Sequence, residues 1–132
     1  MTRAEQRSPL RALVAEDEAL SRLYLSALLQ EKGLSTSVAR DGREAVELCK
    51  NERFDLIIMD VRMPFMDGLE ALRIIRAGEA GSGFRSHVIA LTGYAGREEV
   101  EACLDAGADD YLTKPVEEHL LFAKVDAVRT RY

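Results

Sequence analysis

The sequence predicts an α/β fold in which helices cover both faces of a doubly wound, parallel five-stranded sheet. Strand-like and helix-like segments alternate along the chain, which is the pattern of a mostly parallel sheet. Several apolar runs are short and continuous, as in strands that are buried on both faces. The length of 132 residues suits one compact domain. We therefore expect five βα units in a single domain.

The first two units follow from apolar periodicity and capping residues. Residues 10–15 are predicted to form the first strand, and Gly33 stands where a left-handed C-terminal cap ends the first helix. A weaker strand over residues 35–39 leads to Asp41, which is suited to cap the second helix. The residues expected to form the buried stripe of the first helix are Leu20, Leu23, Tyr24, Ala27 and Leu28.

The third and fourth units surround the longest apolar runs. The third strand is predicted to end at Asp60, and Gly68 opens the third helix. A flexible connection is expected over residues 78–83, which contain three glycines. The fourth strand covers residues 87–91, and the helix after it stops near Gly107.

The fifth unit completes the domain. A short fifth strand precedes a turn at residues 113–115, and the last helix has Leu121, Val125 and Val128 on its buried side. The acidic pair at residues 109–110 is interpreted as solvated. We assign residues 10–130 to the single domain and residues 1–9 to a polar N-terminal extension.

Composition limits the functional class. A formal net charge of −5 argues against nonspecific binding to nucleic acid or to anionic membranes. No apolar run approaches the roughly 20 residues that span a bilayer, and the N-terminus lacks the apolar core of a signal peptide. Cys49 and Cys103 have no metal-binding spacing and are interpreted as free thiols in a reducing compartment. We expect a soluble, cytoplasmic protein without membrane insertion or direct nucleic-acid binding.

Polar residues follow four of the predicted strands and are expected to meet at one edge of the sheet. They are Glu16 with Asp17, Asp60, Thr92 and Lys114. Right-handed crossovers favour the strand order 2-1-3-4-5, in which the first and third strands are neighbours about 4.8 Å apart. The carboxyl ends of these two strands then bring three carboxylates together.

Such a cluster of acids has a specific chemistry. Three close carboxylates repel one another and raise the pKa of at least one of them unless a cation joins them. Oxygen ligands without His or Cys favour Mg²⁺, with Mn²⁺ as an alternative. Asp60 beside a bound metal is a competent nucleophile toward a phosphoryl group, and Lys114 is suited to neutralise the charge of the transition state.

The motifs resemble those of one family, the receiver domains of two-component response regulators in the CheY-like superfamily. The resemblance extends from Leu10 to about Arg129 and is consistent with a flavodoxin-like (βα)5 sheet. The matching segments are residues 14–18 (VAEDE), 58–64 (IMDVRMP), 66–68 (MDG), 90–95 (ALTGYA) and 107–115 (GADDYLTKP).

The resemblance implies a phosphorelay function for this edge of the sheet. Asp60 resembles the aspartate that accepts a phosphoryl group from a phosphohistidine on a sensor histidine kinase or a histidine-phosphotransfer protein. Glu16 and Asp17 resemble the acid pair that holds Mg²⁺, and the backbone carbonyl of Arg62 is a further ligand. The domain would be a signalling phosphoacceptor that catalyses only its own phosphorylation and dephosphorylation.

The resemblance also implies a conformational switch. Thr92 resembles the hydroxyl that turns toward the phosphoryl oxygens, and Lys114 resembles the lysine that pairs with them through a loop with a cis Lys-Pro bond. Tyr111 resembles the aromatic residue that changes rotamer with Thr92. The surface of the fourth helix, fifth strand and fifth helix would then bind a downstream partner.

Other classes remain alternatives at this point. A phosphatase or phosphotransferase of the haloacid-dehalogenase type also uses an Asp after a strand, but it needs an acid where Arg62 stands. A flavin carrier would need a hydroxyl-rich loop in place of residues 16–18, and a module that is never phosphorylated would typically lack a site residue. Taken alone, Thr92 is typical of a helix N-cap.

Overall fold

The computed structural model describes residues 9–130, in which five strands alternate with five helices. The strands are β1 (Arg11–Ala15), β2 (Ser35–Ala39), β3 (Leu56–Asp60), β4 (His87–Thr92) and β5 (Asp110–Thr113). The helices are α1 (Ala19–Glu31), α2 (Gly42–Asn51), α3 (Gly68–Glu79), α4 (Arg97–Ala106) and α5 (Glu118–Arg129). Most of the predicted N-terminal extension lies outside the described residues.

The five strands form one parallel sheet in the order β2-β1-β3-β4-β5, which confirms the predicted fold and strand order. Strand β1 lies between β2 and β3, with Ala15 opposite Met59. The residues that follow β1 therefore face the end of β3 at the carboxyl edge of the sheet. This is the edge where connections diverge to opposite faces and where such sheets bind ligands.

Side chains of the central strands alternate between two cores, one on each face of the sheet. Leu13 and Ile57 pack on the face covered by α2, α3 and α4, whereas Val14 and Ile58 pack on the face covered by α1 and α5. All five residues of β3 are buried. Burial of one such aliphatic side chain contributes about 1.5–3 kcal/mol, so β3 and its terminal Asp60 are held in place from both sides.

Helix α1 buries a different face from the predicted one. Leu20 and Leu23 are 75% and 68% exposed, and the buried leucines are Leu25, Leu28 and Leu29. Leu28 alone of the predicted stripe is buried. The helix has apolar residues at helical spacing on both faces, so periodicity could not distinguish the side that packs on the sheet.

Asp41, Gly33 and Gly107 cap their helices as predicted, and Asp67 provides a further N-cap. Asp41 accepts a hydrogen bond from the Glu44 amide (2.9 Å), and Asp67 accepts one from the Glu70 amide (2.9 Å). Gly33 and Gly107 end their helices with φ angles of 86° and 114°, in the left-handed region that favours glycine. The two aspartates follow β2 and β3, so they fix where α2 and α3 begin at the carboxyl edge.

Helix α3 extends further than the sequence predicted. The connection expected over residues 78–83 begins only after Glu79, whose carboxylate pairs with Arg76 (2.7 Å) and accepts a hydrogen bond from the Ser86 amide (2.8 Å). These contacts stabilise the last helical turn despite Gly78. No helix within residues 9–130 is long and apolar enough to cross a membrane.

Asp109 lies at an exposed position, as expected, but its side chain also makes structural contacts that the sequence did not indicate. Its side chain is 21% exposed and accepts hydrogen bonds from the Val88 amide (2.8 Å), Arg76 (2.9 Å) and Arg85 (2.9 Å). Burial acts to raise the pKa of Asp109, but the Val88 amide and the two guanidinium groups outweigh it, so the pKa is lowered. Asp109 therefore joins the α4–β5 loop to α3 and to the start of β4.

Candidate functional site

The carboxyl edge of the sheet brings together the three acids that the sequence predicted to converge. Carboxylate oxygens of Glu16, Asp17 and Asp60 lie within 4.8 Å of one another. Asp60 is the last residue of β3, and the acid pair follows β1 directly, so the pairing of these two strands creates the cluster. The predicted convergence is confirmed.

Asp60 is buried at the centre of this cluster, with 2% of its surface exposed. Its Oδ2 accepts a hydrogen bond from Lys114 Nζ at 2.6 Å, and its Oδ1 accepts one from the Arg62 amide at 3.3 Å. Helix α3 begins against the backbone of Asp60, because a Cβ atom on Gly68 would lie 2.0 Å from the Asp60 carbonyl oxygen. The glycine that the sequence placed at the start of α3 thus permits this close packing.

Glu16 is the most buried acid of the cluster, with 1% exposure. Its Oε1 accepts a hydrogen bond from the Glu18 amide at 3.2 Å. Its Oε2 is buried and accepts no hydrogen bond from any group in residues 9–130, although Lys114 Nζ forms an ion pair with it at 3.2 Å. Burial, followed by the neighbouring Asp60, raises the pKa of Glu16 to about 7. The expected mutual repulsion of the acids is therefore present.

Lys114 links the two buried acids from the loop after β5. Burial acts to lower the pKa of its ammonium group, but contacts with Asp60 and Glu16 outweigh burial and raise it. Lys114 is therefore charged at neutral pH. Its amide donates to the Thr92 carbonyl (2.9 Å), and the Lys114-Pro115 peptide bond is cis, as the family resemblance implied.

The cluster has the donor set expected for a hard divalent cation. Glu16, Asp17 and Asp60 offer only carboxylate oxygens, and the buried Oε2 of Glu16 accepts no hydrogen bond among the described residues. Asp17 is exposed, and among the described residues its side chain has no hydrogen bond or ion pair, so it is accessible to an ion from solvent. These features fit Mg²⁺, which uses a few carboxylates and retains water in its coordination shell.

Thr92 lies at the end of β4 with 6% of its surface exposed, and its hydroxyl interacts with its own loop. Thr92 Oγ1 donates to the Tyr94 carbonyl (2.8 Å) and lies 3.3 Å from the Tyr94 amide, from which it accepts. Thr92 does not cap α4, because Gly96 is the N-cap residue of that helix. In this conformation, the described hydrogen bonds of the hydroxyl are both with Tyr94, and none is with Asp60.

Tyr111 lies in β5 opposite Ala90 of β4 and is half-buried against the core beneath α4. A cavity of about 400 Å³ lies beside Asp60, with Thr92, Tyr94, Glu99 and Lys114 also among its lining residues. The cavity is large enough for a phosphoryl group. A larger cavity of about 710 Å³ lies near Cys49 and Phe84 and contains none of the predicted site residues.

One residue of the site, Arg22, was missed by sequence reasoning. It lies in the first turn of α1, and its Nη1 donates hydrogen bonds to the carbonyls of Glu16 (3.0 Å) and Asp17 (2.9 Å). The available signal was an arginine five residues after the acid pair. Since arginines are common on exposed helix faces, this signal was weak.

Comparisons with known proteins agree with this geometry. The family model described as response regulator receiver domain matches residues 12–126. Transcriptional regulatory protein PdtaR of Mycobacterium tuberculosis is 40% identical, over 99% of this chain and 62% of PdtaR. Hybrid signal transduction histidine kinase I of Dictyostelium discoideum is 36% identical, over 96% of this chain and 8% of the kinase. The chain thus spans less than two thirds of either curated relative.

Two solved structures are similar to nearly the whole fold. One is the receiver domain of sensor histidine kinase PA1611 from Pseudomonas aeruginosa, with a magnesium ion coordinated in its active-site cleft. It has a TM-score of 0.81 and 36% identity, over 91% of this chain and 97% of that chain. The other is the receiver domain of Saccharomyces cerevisiae Ssk1, crystallised with the histidine phosphotransfer protein Ypd1. It has a TM-score of 0.81 and 32% identity, over 88% of this chain and 86% of that chain.

The fold, the acid cluster and these similarities lead to one assignment. The matched segment covers most of the chain and includes Glu16, Asp17, Asp60 and Lys114. The chain belongs to the response regulator receiver domain family.

Proposed function

We propose that Asp60 is the phosphoacceptor of this domain and that Glu16, Asp17, Asp60 and the Arg62 backbone carbonyl hold Mg²⁺. The observation that carries this proposal is the position of the buried Asp60 carboxylate between two acids and the Lys114 ammonium. A carboxylate in these surroundings is a nucleophile with both a cation site and a fixed positive charge beside it. The finding of Mg²⁺ in the cleft of the PA1611 receiver domain supports the choice of metal.

The proposed reaction transfers a phosphoryl group from a phosphohistidine. An Asp60 oxygen forms the new bond to phosphorus while the bond between phosphorus and the donor imidazole nitrogen breaks, and the electron pair leaves with that nitrogen. Mg²⁺, when bound, supplies positive charge that neutralises the transferring oxygens. Lys114, whose Nζ already lies 2.6 Å from Asp60 Oδ2, supplies the second positive charge.

We further propose that Thr92 and Tyr111 form the switch. The new phosphoryl group adds roughly −1.5 to −2 charge and three acceptor oxygens close to the Thr92 hydroxyl. Thr92 then exchanges its bond to the Tyr94 carbonyl for one to the phosphoryl group, which vacates space beneath α4 for the Tyr111 ring. The surface formed by α4, β5 and α5 changes as a result and signals to a downstream protein.

The partners of the complete protein are also proposals. A sensor histidine kinase or histidine-phosphotransfer protein is the proposed donor, because one relative is a hybrid histidine kinase and one structural neighbour was crystallised with Ypd1. We take residues 10–130 as the receiver domain, a boundary supported by the family match over residues 12–126. A cytoplasmic location is supported by Cys49 and Cys103, whose thiols are free and whose pKa values are raised by burial.

The proposed function is tested by incubating the protein with acetyl phosphate, with and without Mg²⁺, and measuring intact mass. We expect one added phosphoryl group that requires Mg²⁺. Asp60→Asn should abolish it, whereas Asp105→Asn, which removes an exposed carboxylate from α4, should leave it unchanged. Phosphorylation of Asp60→Asn at another residue would contradict the assignment.

A further inference from the structure

Arg22 has an unusual pair of contacts for a residue on the first turn of a helix. Its Nη1 donates to two successive backbone carbonyls, those of Glu16 and Asp17, at 3.0 and 2.9 Å. Its own amide donates to the Glu18 carbonyl at 3.0 Å, which is the first hydrogen bond of α1. The side chain thus turns back over the loop that connects β1 with α1.

The two acids in this loop are held in different ways. Glu16 has local contacts, because its amide donates to the Ala39 carbonyl (3.0 Å) and its side chain interacts with Glu18 and Lys114. Asp17 has no side-chain hydrogen bond or ion pair among the described residues, although its carboxylate lies within reach of the other two acids. No described side-chain contact orients Asp17, so the backbone, which sets its Cα–Cβ direction, is the part of Asp17 that the structure restrains.

Arg22 fixes that backbone. A hydrogen bond to the Glu16 carbonyl restrains the peptide plane before Asp17, and one to the Asp17 carbonyl restrains the plane after it. When both planes are restrained, φ and ψ of Asp17 and hence its Cα–Cβ direction are restrained as well. A guanidinium group is suited to this task because it is planar and donates in fixed directions.

We propose that Arg22 is a positioning residue for the divalent cation site, which it serves by holding the Glu16 and Asp17 carbonyls so that the Asp17 carboxylate faces Glu16 and Asp60. This inference rests on the proposed Mg²⁺ site. Among the described residues, the side chain of Arg22 donates only to these two backbone carbonyls, so it would act on the site through Asp17. Side chains that orient metal ligands commonly contribute 10- to 100-fold to metal affinity.

The charge of Arg22 provides a means of distinguishing this role from a simple electrostatic effect. A guanidinium group near three acids repels a divalent cation, so loss of its charge alone would strengthen Mg²⁺ binding. Loss of a positioning residue instead weakens binding, because Asp17 then samples directions away from the site. The two explanations predict opposite signs for the same substitution.

The test is calorimetric titration of the purified chain with MgCl₂. We expect Arg22→Met to raise the dissociation constant for Mg²⁺ roughly 10-fold. Arg22→Lys keeps the charge but not the planar geometry and should weaken binding to a smaller extent. Arg97→Met is the matched control, because Arg97 is 91% exposed on α4 and pairs only with Glu101 among the described residues. It should bind Mg²⁺ like the wild type.

A second readout separates binding from chemistry. With acetyl phosphate as donor, Arg22→Met should need more Mg²⁺ for the half-maximal phosphorylation rate and should reach a rate within about twofold of wild type at saturation. Wild-type or tighter Mg²⁺ affinity in Arg22→Met would overturn the inference while leaving the proposed function intact. If that variant does not fold, unchanged affinity in Arg22→Lys would overturn it equally. A wild-type chain that binds no Mg²⁺ would instead overturn the proposed function, and this inference with it.

Discussion

Lys114 Nζ lies 2.6 Å from Asp60 Oδ2 and 3.2 Å from Glu16 Oε2, so one ammonium group neutralises part of the charge of two buried acids. The lysine is contributed by the loop after β5 and the acids by β3 and the loop after β1. The contact therefore joins three of the five strands at the carboxyl edge.

Removal of this ammonium group should affect both stability and phosphorylation. Lys114→Met is expected to lower the free energy of unfolding by about 1–2 kcal/mol, a modest value because the side chain is 36% exposed and solvent screens the pairs. Phosphorylation by acetyl phosphate should slow by about 10²-fold, because one of the two positive charges is missing.

Lys124→Met is the control for this prediction. It removes a comparable ion pair with Asp110 (2.7 Å), in which the lysine side chain is 27% exposed. Urea unfolding and intact-mass kinetics should show a similar loss of stability with a normal phosphorylation rate. Equal phosphorylation rates in the two variants would contradict the role of Lys114.

Binding of Mg²⁺ should raise the melting temperature of the wild-type protein. At a concentration about 100-fold above the dissociation constant, the gain in free energy of unfolding is about 2.7 kcal/mol if only the native state binds. Asp17→Asn removes one of the proposed carboxylate ligands and should lose most of this gain, whereas Asp105→Asn should retain it. Scanning calorimetry with and without MgCl₂ measures the difference, and an equal shift for both variants would exclude Asp17 as a ligand.

Thr92→Ala should separate phosphorylation from the conformational response. The variant retains Asp60, the acid pair and Lys114, so it should still accept one phosphoryl group. Without the hydroxyl, amide chemical shifts in α4, β5 and α5 should change much less on phosphorylation than in the wild type. Thr36→Ala, on the edge strand β2, is the control and should respond normally. A full response in Thr92→Ala would remove the basis for the proposed switch.

Asp109 should make stability depend on pH in the acid range. Its pKa in the folded protein is lowered, so its contribution is fully present above the unfolded pKa of about 3.9 and is lost as the pH falls through the lower folded value. Asp109→Asn should cost about 1–3 kcal/mol at pH 7, because hydrogen bonds to charged groups are lost.

The difference between this variant and the wild type should shrink below about pH 4. Urea unfolding at a series of pH values measures it, with exposed Asp105→Asn as the control, for which the difference should be small throughout. A difference for Asp109→Asn that stays constant down to pH 2 would show that its charge is not the source of the effect.

The carboxyl edge was predictable because its residues are marked locally in the sequence. Asp60 and Thr92 each end an apolar run, and in a parallel sheet the ends of such runs must lie at the same edge. The strand order then followed from general rules of chain connection. The shared edge and the strand order were together sufficient to predict that the acids after β1 and at the end of β3 lie close together.

Other features depend on partners that the sequence does not mark. The Arg22 side chain binds two backbone carbonyls, and one of the partners of Asp109 is a backbone amide. Backbone groups are nearly the same in every residue, so the sequence does not show which of them a side chain will contact. The buried face of α1 depends on which of two apolar stripes fits the sheet. The rotamer of the Thr92 hydroxyl depends on a loop conformation that residue types alone do not determine.

The Asp109 contacts have a mechanical consequence for β4. Asp109 accepts a hydrogen bond from the Val88 amide near the beginning of this strand, four residues before Thr92. Arg76 of α3 and Arg85 of the connection after α3 form ion pairs with the same carboxylate. The beginning of β4 is therefore held in place by hydrogen bonds and ion pairs, whereas its end at Thr92 is not restrained by them. We therefore expect a displacement of Thr92 to be transmitted forward into the segment before α4 and not backward through the sheet.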